Sequence, residues 1–472
     1  MMKSELLLFP LPAIGHLVSM MQFAKLLVNQ DKGLSIRMLI FKLPLDVNFN
    51  LYIQSLYAET TRGIEFIQLP DPHVSPKPDN PLAWQSELVD SNKPHVRDFV
   101  AQLKNSGSSR LVGFVVDMMC TSMIDVANEF EVPSYVFYPC GAAILGLSIH
   151  VQSLADDSKQ DISQYKDSEK ELSVSSYINP VPAKLVPGSM FDKEGFNLKL
   201  AWRLIGEARG IIVNTFLELE YHALTDLNSN PKIPPIYDVG PLINVAGTSA
   251  KQQETDTIIR WLDDQPTASV IFFCFGSFGS VDSNQVKEIA CAIERSGFRF
   301  LWSLRRPPPK DRLEYPSEYE NFDEVLPEGF FERTARVGKV LGWAPQARVL
   351  AHAAVGGFVT HCGWNSVLES VWFGVPMAVW PMYAEQHMNA FFAVTDLGIA
   401  VEIKMDYKKN STEDLVIADE IEDGIRQLME PEGEIRKKVK VLKEKARTTL
   451  IEGGSSYISL QRLLEDLLFS AD

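Results

Sequence analysis

Short apolar runs alternate with amphipathic stretches over most of the chain. Residues 4–9 (SELLLF) predict a strand, and 17–29 carry helical spacing. Strands are also expected at 34–41 (LSIRMLIF), at 111–116 (LVGFVV, ending at Asp117) and at 134–138 (SYVFY), with a helix over 121–130. Such alternation predicts a mostly parallel sheet covered on both faces. Residues 153–200 break the pattern. They are polar first, then rich in Pro and small residues, so an insertion or surface loop with short helices is expected there. A buried strand returns at 210–216 (GIIVNTF), then a helix at 217–226, and 236–243 (IYDVGPLI) closes the first half.

Residues 244–254 (NVAGTSAKQQE) are polar, small and aperiodic, as a linker between domains would be. Beyond them the alternation restarts. Strands are expected at 269–275, 299–304, 338–342, 355–360, 377–380 and 399–403, and helices near 284–296, 345–352, 366–373 and 386–397. Residues 305–325 read as a loop, and the tail as helices at 414–429, 432–450 and 456–469. The expected organisation is an α/β half over 1–243, a linker over 244–254 and a second α/β half over 255–455.

A length of 472 residues fits at least two domains. With 45 Lys plus Arg against 61 Asp plus Glu, the net charge is −16, which opposes binding to nucleic acid or anionic lipid. Any phosphate must then be held by local geometry. Cys120, Cys140, Cys274, Cys291 and Cys362 are widely spaced and form no C-x-x-C pair, as expected of buried, reduced thiols in a cytosolic protein. Glu5, Pro10, Pro12 and His16 interrupt the first apolar stretch, so a first strand fits better than a secretory signal. No window of about 20 residues is apolar throughout, and a soluble, cytoplasmic protein is expected. No His or Cys spacing suggests a metal.

The chemistry concentrates between Trp343 and Gln386, a stretch of 44 residues. Within it, GGFVTHCGWNS reads as a strand, a small-residue turn and a helix start. In doubly wound sheets ligands sit at the carboxyl ends of strands. A helix N-terminus there offers free N–H groups and a positive dipole end to a phosphate. Gly363 allows close approach, and His361, Asn365 and Ser366 add donors. Arg348 is the one basic residue of the segment, against Glu369 and Glu385, so a pyrophosphate would be held by dipole and hydrogen bonds. Ser366 and Glu369 also read as a capping box. FGSFGS (275–280) lacks the G-x-G-x-x-G spacing, which argues against a nicotinamide oxidoreductase. At the other end of the chain, His16 sits in the turn after the first strand. A neutral imidazole with a pKa of about 6.5 can accept a proton at cytosolic pH. Asp117, at another strand terminus, could bond the second ring nitrogen; taken alone, the two residues also read as a turn histidine and a helix-capping aspartate.

The order of residues from Trp343 to Gln386, together with Gly15-His16 and the C-terminal helices, resembles the plant UDP-sugar-dependent glycosyltransferases of secondary metabolism. These are inverting family 1 enzymes with two Rossmann-like domains facing across a cleft, the GT-B architecture. The texture is similar to the branch acting on flavonoids, lignans, hydroxycinnamates and triterpenoids. The resemblance implies that Trp343 stacks on uracil beside the Ala344 backbone and Gln346, and that Glu369 accepts from the ribose hydroxyls. It implies that His361, Asn365 and Ser366 contact the diphosphate, with Ser277 beside them. Trp364, Glu385 and Gln386 would hold the sugar, and Gln386 favours glucose. His16 would be the catalytic base and Asp117 its partner, with no metal or other cofactor besides the UDP-glucose donor. The acceptor would be a small apolar hydroxylated metabolite, with a pocket sought among Met118, Met119, Phe137, Tyr138, Met190 and Tyr383. A monomer is expected, its last helix (456–472) packing back on the first half. Two positions depart from the common pattern: Glu385 where many relatives have Asp, and Ser19 where many have Pro. A non-catalytic UDP-sugar-binding protein would be expected to lack His16 or Asp117, and this chain has both.

Overall fold

The computed structural model describes residues 3–42, 52–54, 56, 61–72, 74–75, 81–157, 161–193, 195–245, 252–309, 314–408 and 415–469. In chain order the strands are β1 (Lys3–Phe9), β2 (Leu34–Ile40), β3 (Ile64–Gln68), β4 (Ser109–Asp117), β5 (Ser134–Tyr138), β6 (Glu171–Leu172), β7 (Val181–Pro182), β8 (Gly210–Val213) and β9 (Ile236–Asp238). They continue with β10 (Val270–Cys274), β11 (Arg299–Ser303), β12 (Gly338–Leu341), β13 (Val355–Thr360), β14 (Met377–Val379) and β15 (Ala400–Glu402). Seven form a first parallel sheet in the order β3-β2-β1-β4-β5-β8-β9, and six a second in the order β12-β11-β10-β13-β14-β15. β6 and β7 make a small antiparallel pair.

The apolar runs are continuous because both faces of each sheet are buried. Successive side chains alternate between faces. Along β1, Leu7 and Phe9 join one core while Leu6 and Leu8 join another. Along β10, Phe272 and Cys274 face that first core and Ile271 and Phe273 a third. One apolar cluster therefore runs from under the first sheet to under the second.

Strand order changes direction between β1 and β4 in one sheet and between β10 and β13 in the other. Such reversals leave a crevice beyond the strands' carboxyl ends, because the following connections part to opposite faces. His16, Asp117, Ser277 and His361 all follow or end these four strands.

The final helix, Ser455–Phe469, lies against the first sheet. Its Leu460, Leu463, Leu464 and Leu467 enter the core that holds Leu6 and Leu8. Asp466 accepts from the hydroxyls of Tyr135 (2.7 Å) and Tyr237 (3.1 Å) and pairs with Arg209 (2.8 Å).

Several elements differ from the expectation. Residues 153–200 are bracketed by real helices, Ala142–Asp157 and Phe196–Gly206, with short turns and the β6–β7 pair between them. The first of these is apolar on nearly every side and buried along its first two turns, so it shows no amphipathic period. Strand β3 and the helices Pro81–Ser91 and Lys93–Ser106 were likewise unexpected. In the expected linker, residues 246–251 lie outside the described residues, and a helix (Gln252–Asp263) begins within its last three. Cys120, Cys140, Cys274 and Cys362 are buried, Cys291 is half-buried, and all five are free thiols. No helix among the described residues is long and apolar enough to cross a membrane.

Asp466→Ala leaves two tyrosine hydroxyls and one guanidinium without their shared acceptor. Urea unfolding should show a loss of about 2 kcal/mol. An unchanged midpoint would mean that the leucines alone hold the helix.

Candidate active site

His16 belongs to the first turn of the helix Ile14–Gln30, which starts three residues earlier than expected. Its Nδ1 lies 2.8 Å from Asp117 Oδ2. The other carboxylate oxygen accepts the N–H of Met119 at 2.9 Å and so caps the turn Met118–Met123. Asp117 is fully buried and both its oxygens are committed, so it cannot swing away from His16 without losing a cap. An ionised carboxylate only accepts, so Nδ1 carries the proton and the lone pair rests on Nε2. About a quarter of the His16 side chain stays exposed (26%). Burial works against charge on this imidazole. The charge and hydrogen bond of Asp117, with the charge of Glu385, outweigh it and raise the pKa above the usual 6.5.

The second crevice is built from backbone as much as from side chains. After β13 the chain passes His361, then Cys362 at a φ of 62°, a left-handed conformation unusual outside glycine. Gly363 is the N-cap of the helix Trp364–Phe373 and offers no side chain to its first N–H groups, which therefore stay open to a ligand. The helix starts before Ser366, so the expected capping box does not form. Ser366 Oγ instead accepts from Gln346 Nε2 (2.9 Å), which also donates to Glu369 (2.8 Å). Burial pushes Glu369 up to about 7. It pushes His361 down to about 4, so that ring is neutral near pH 7, and its Nδ1 is buried with no partner among the described residues. A Cβ on Gly276 would come within 2.5 Å of His361 Nε2, so the turn after β10 must be glycine for the imidazole to fit. Ser277 is exposed on that turn. Trp343 is half-buried and Ala344 buried just after β12, ahead of the short helix Gln346–Leu350.

Gln386 is buried, and its Oε1 accepts the N–H groups of Met382 (3.0 Å) and Tyr383 (3.1 Å). Its amide N–H groups point away from those two donors, and the Tyr383 hydroxyl is one partner for them. Glu385 precedes it; burial raises its pKa, partly offset by the charge of His16.

The two crevices meet. Asn365 Nδ2 donates to Gly15 O at 3.1 Å, one residue from His16. The indole N–H of Trp364 donates to Asn214 O at 2.7 Å. Trp364 was expected at the sugar, but its buried ring is a strut between domains, and only its backbone N–H could serve a ligand. A Cβ on Gly141 would come within 2.9 Å of that ring, so glycine is needed where the strut crosses.

Of the acceptor-pocket candidates, Met118, Met119 and Tyr383 are half-buried and keep surface. Phe137 does not: it packs on Phe23 (5.7 Å) beneath the sheet, on the face opposite Tyr138. Tyr138 and Met190 are buried in the central core and offer almost no surface. Two residues went unnoticed in the sequence. Glu220 accepts from Ala142 N (2.7 Å) and Ala143 N (2.8 Å) and caps that helix. Asn214 ends a strand at the domain contact, and the signal available was a polar residue closing the apolar run GIIVNTF. Among the described residues no group of three or more His, Cys, Asp or Glu side chains is arranged to hold a metal.

A profile of the UDP-glucoronosyl and UDP-glucosyl transferase family matches residues 234–425. The chain is 49% identical to UDP-glucose flavonoid 3-O-glucosyltransferase 6 of Fragaria ananassa, over 98% of each chain. The chain belongs to this family. The transferase is also 50% identical to UDP-glycosyltransferase 71E1 of Stevia rebaudiana, again over 98% of each. Among solved structures it is similar to a Siraitia grosvenorii UGT in complex with UDP, with a TM-score of 0.87 and 43% identity over 99% of this chain and 100% of that one. A Medicago truncatula UGT complexed with UDP-glucose gives a TM-score of 0.86 and 40% identity over 98% of each chain. The two facing parallel sheets of the transferase are thus the two Rossmann-like domains of the GT-B architecture.

In this transferase the raised pKa of His16 rests on Asp117. Asp117→Asn removes the charge and leaves burial, which acts the other way. NMR titration of the His16 ring should find a pKa above 6.5 in the wild type and below it in the variant. Equal values in both would show that the carboxylate does not govern the imidazole.

Proposed function

We propose that this transferase moves glucose from UDP-glucose to a hydroxyl of a small apolar plant metabolite, a flavonoid, lignan, other phenylpropanoid or triterpenoid, with inversion. One observation carries the reading. The imidazole held by Asp117 stands one residue from Gly15, and Gly15 touches Asn365 at the open helix N-terminus of the second domain. A base and an anion-binding helix start are therefore neighbours across one cleft.

His16 Nε2 takes the acceptor's proton as its oxygen forms a bond to the anomeric carbon. The bond from that carbon to the diphosphate oxygen breaks, and UDP leaves with the electron pair. Attack opposite the leaving group turns an α-linked donor into a β-glucoside. Asp117 stabilises the imidazolium. The open N–H groups at Trp364 and Asn365, with neutral His361 and Ser277, favour the developing negative charge on UDP without lysine or arginine. Trp343, Ala344 and Gln346 would hold the uracil, and Glu369 the ribose. The apolar acceptor is supported by the surface of Met118, Met119 and Tyr383, and by the names of the similar proteins. A cytoplasmic site of action, a single-chain enzyme and a reaction without metal complete the reading.

His16→Ala should lower turnover by about 10²–10⁴-fold, the usual worth of a general base, while UDP still binds in calorimetry. Near wild-type turnover would overturn the assignment. UDP binding by the wild type with no transfer to any phenolic or terpenoid acceptor, read by mass spectrometry, would favour a binding protein instead.

Gln386→Glu keeps the oxygen that accepts from Met382 and Tyr383 and replaces the amide N–H donors with a second, acidic oxygen. If those donors hold the sugar, KM for UDP-glucose should rise by about tenfold or more, since a donated hydrogen bond is lost and a buried acid takes its place. An unchanged KM would remove Gln386 from the sugar site.

A further inference from the structure

Asn214, at the end of β8, is fully buried with every polar group paired: its backbone N–H and Oδ1 bond within the first domain, and its backbone oxygen and Nδ2 reach the second. Its backbone oxygen accepts from the Trp364 indole at 2.7 Å. Its side-chain Oδ1 accepts the N–H of Leu242 at 2.9 Å. A backbone N–H can only donate, so Leu242 fixes which end of the Asn214 carboxamide is oxygen. The nitrogen must then face the second domain, where Nδ2 donates to Asn365 Oδ1 at 3.3 Å. That in turn decides Asn365: its oxygen faces Asn214 and its nitrogen is left for Gly15 O at 3.1 Å.

Ser19 reinforces the same orientation from the other side. It is fully buried on the helix that carries His16, and its Oγ lies 2.9 Å from Gly15 O and 3.2 Å from Asn365 Oδ1. The hydroxyl has one proton and both neighbours are acceptors, so it serves one at a time. A proline at this position would have neither donor. Gly15 O is thus the meeting point of the Ser19 hydroxyl and the Asn365 amide, one residue before the base.

We propose that Asn214 and Ser19 are positioning residues: by fixing the Asn365 carboxamide they set the distance between His16 and the helix start of the second domain. The inference rests on the reading of His16 as the base. Neither residue touches substrate in this scheme. They act through Asn365 and Gly15, and what they control is geometry at the moment of transfer rather than the affinity of either domain for its ligand.

Two variants test it. Asn214→Asp keeps the shape but turns an oxygen toward Asn365 Oδ1, which reverses the amide or pushes it away from Gly15. Ser19→Ala removes a single oxygen and carries the test alone if the buried carboxylate of Asn214→Asp lowers the yield of folded protein. Each should lower kcat by about tenfold, since small misplacements near the reacting atoms are costly, while KM for UDP-glucose changes little and the melting temperature of Ser19→Ala stays near wild type. Because both act on one oxygen, the double variant should lose little more than the worse single variant. Wild-type kcat in Ser19→Ala, or losses that multiply in the double variant, would overturn the proposal. So would a loss that appears only as a lower melting temperature. His16→Ala, measured alongside, separates the two readings. If it is inactive while Ser19→Ala and Asn214→Asp turn over normally, only this inference falls. If it stays active, the base assignment falls first.

Discussion

The hydrogen bond between His16 Nδ1 and Asp117 Oδ2 is the constraint on which the rest of the first domain is organised. The two residues are 101 positions apart in the chain and can meet only if β1 and β4 lie side by side. That adjacency exists because the chain adds β2 and β3 on one side of β1 and then returns to the other. The helix after β1 and the turn after β4 leave the sheet edge there, and His16 and Asp117 stand in the gap. Asp117 is locked by its second bond, to Met119, so the tautomer of His16 is set by a rigid strand end rather than by a mobile loop. Burial alone would make this imidazole a weaker base. The buried carboxylate reverses that, and Glu385 of the second domain adds to it.

The second domain repeats the device with different contents. Its reversal falls between β10 and β13, and what stands in the gap is an open helix start with His361 kept neutral by burial. Backbone strain collects there. Cys362 and Ala384 both hold positive φ, on the two loops that present the helix start and Glu385. Such conformations cost on the order of 1–3 kcal/mol each and persist where surrounding packing enforces them. The strut from Trp364 to Asn214 and the glycine at 141 bring the two gaps face to face. The continuous apolar core and the returning C-terminal helix keep them so.

Much of this was legible in the chain. Strands buried on both faces announce themselves as unbroken apolar runs, and β5 and β13 fall at the expected residues. His16 and Asp117 were legible because each closes such a run with a titratable group. The helix Ala142–Asp157 was not, because burial erases the period that marks a surface helix. Phe137 was misplaced because one residue along a strand reverses the face, and nothing local says which face meets the cleft. Ser366 and Glu369 formed a plausible cap by spacing, but the helix start was decided by Trp364, anchored to a strand 150 residues earlier. Asn214 stood out only as a polar residue in an apolar run, and its role was hidden for the same reason: its partners, Leu242, Trp364 and Asn365, come together only in the folded chain.

The proposed transfer needs one imidazole to take the proton under the control of one carboxylate. The direct measurement is the pH dependence of kcat/KM for glucosyl transfer, set beside the titration of the His16 ring in the same free enzyme. The rate should fall on the acid side with an apparent pKa above 6.5 that coincides with that of the ring, since only the neutral imidazole accepts a proton. An acid limb that does not follow the His16 titration would contradict it.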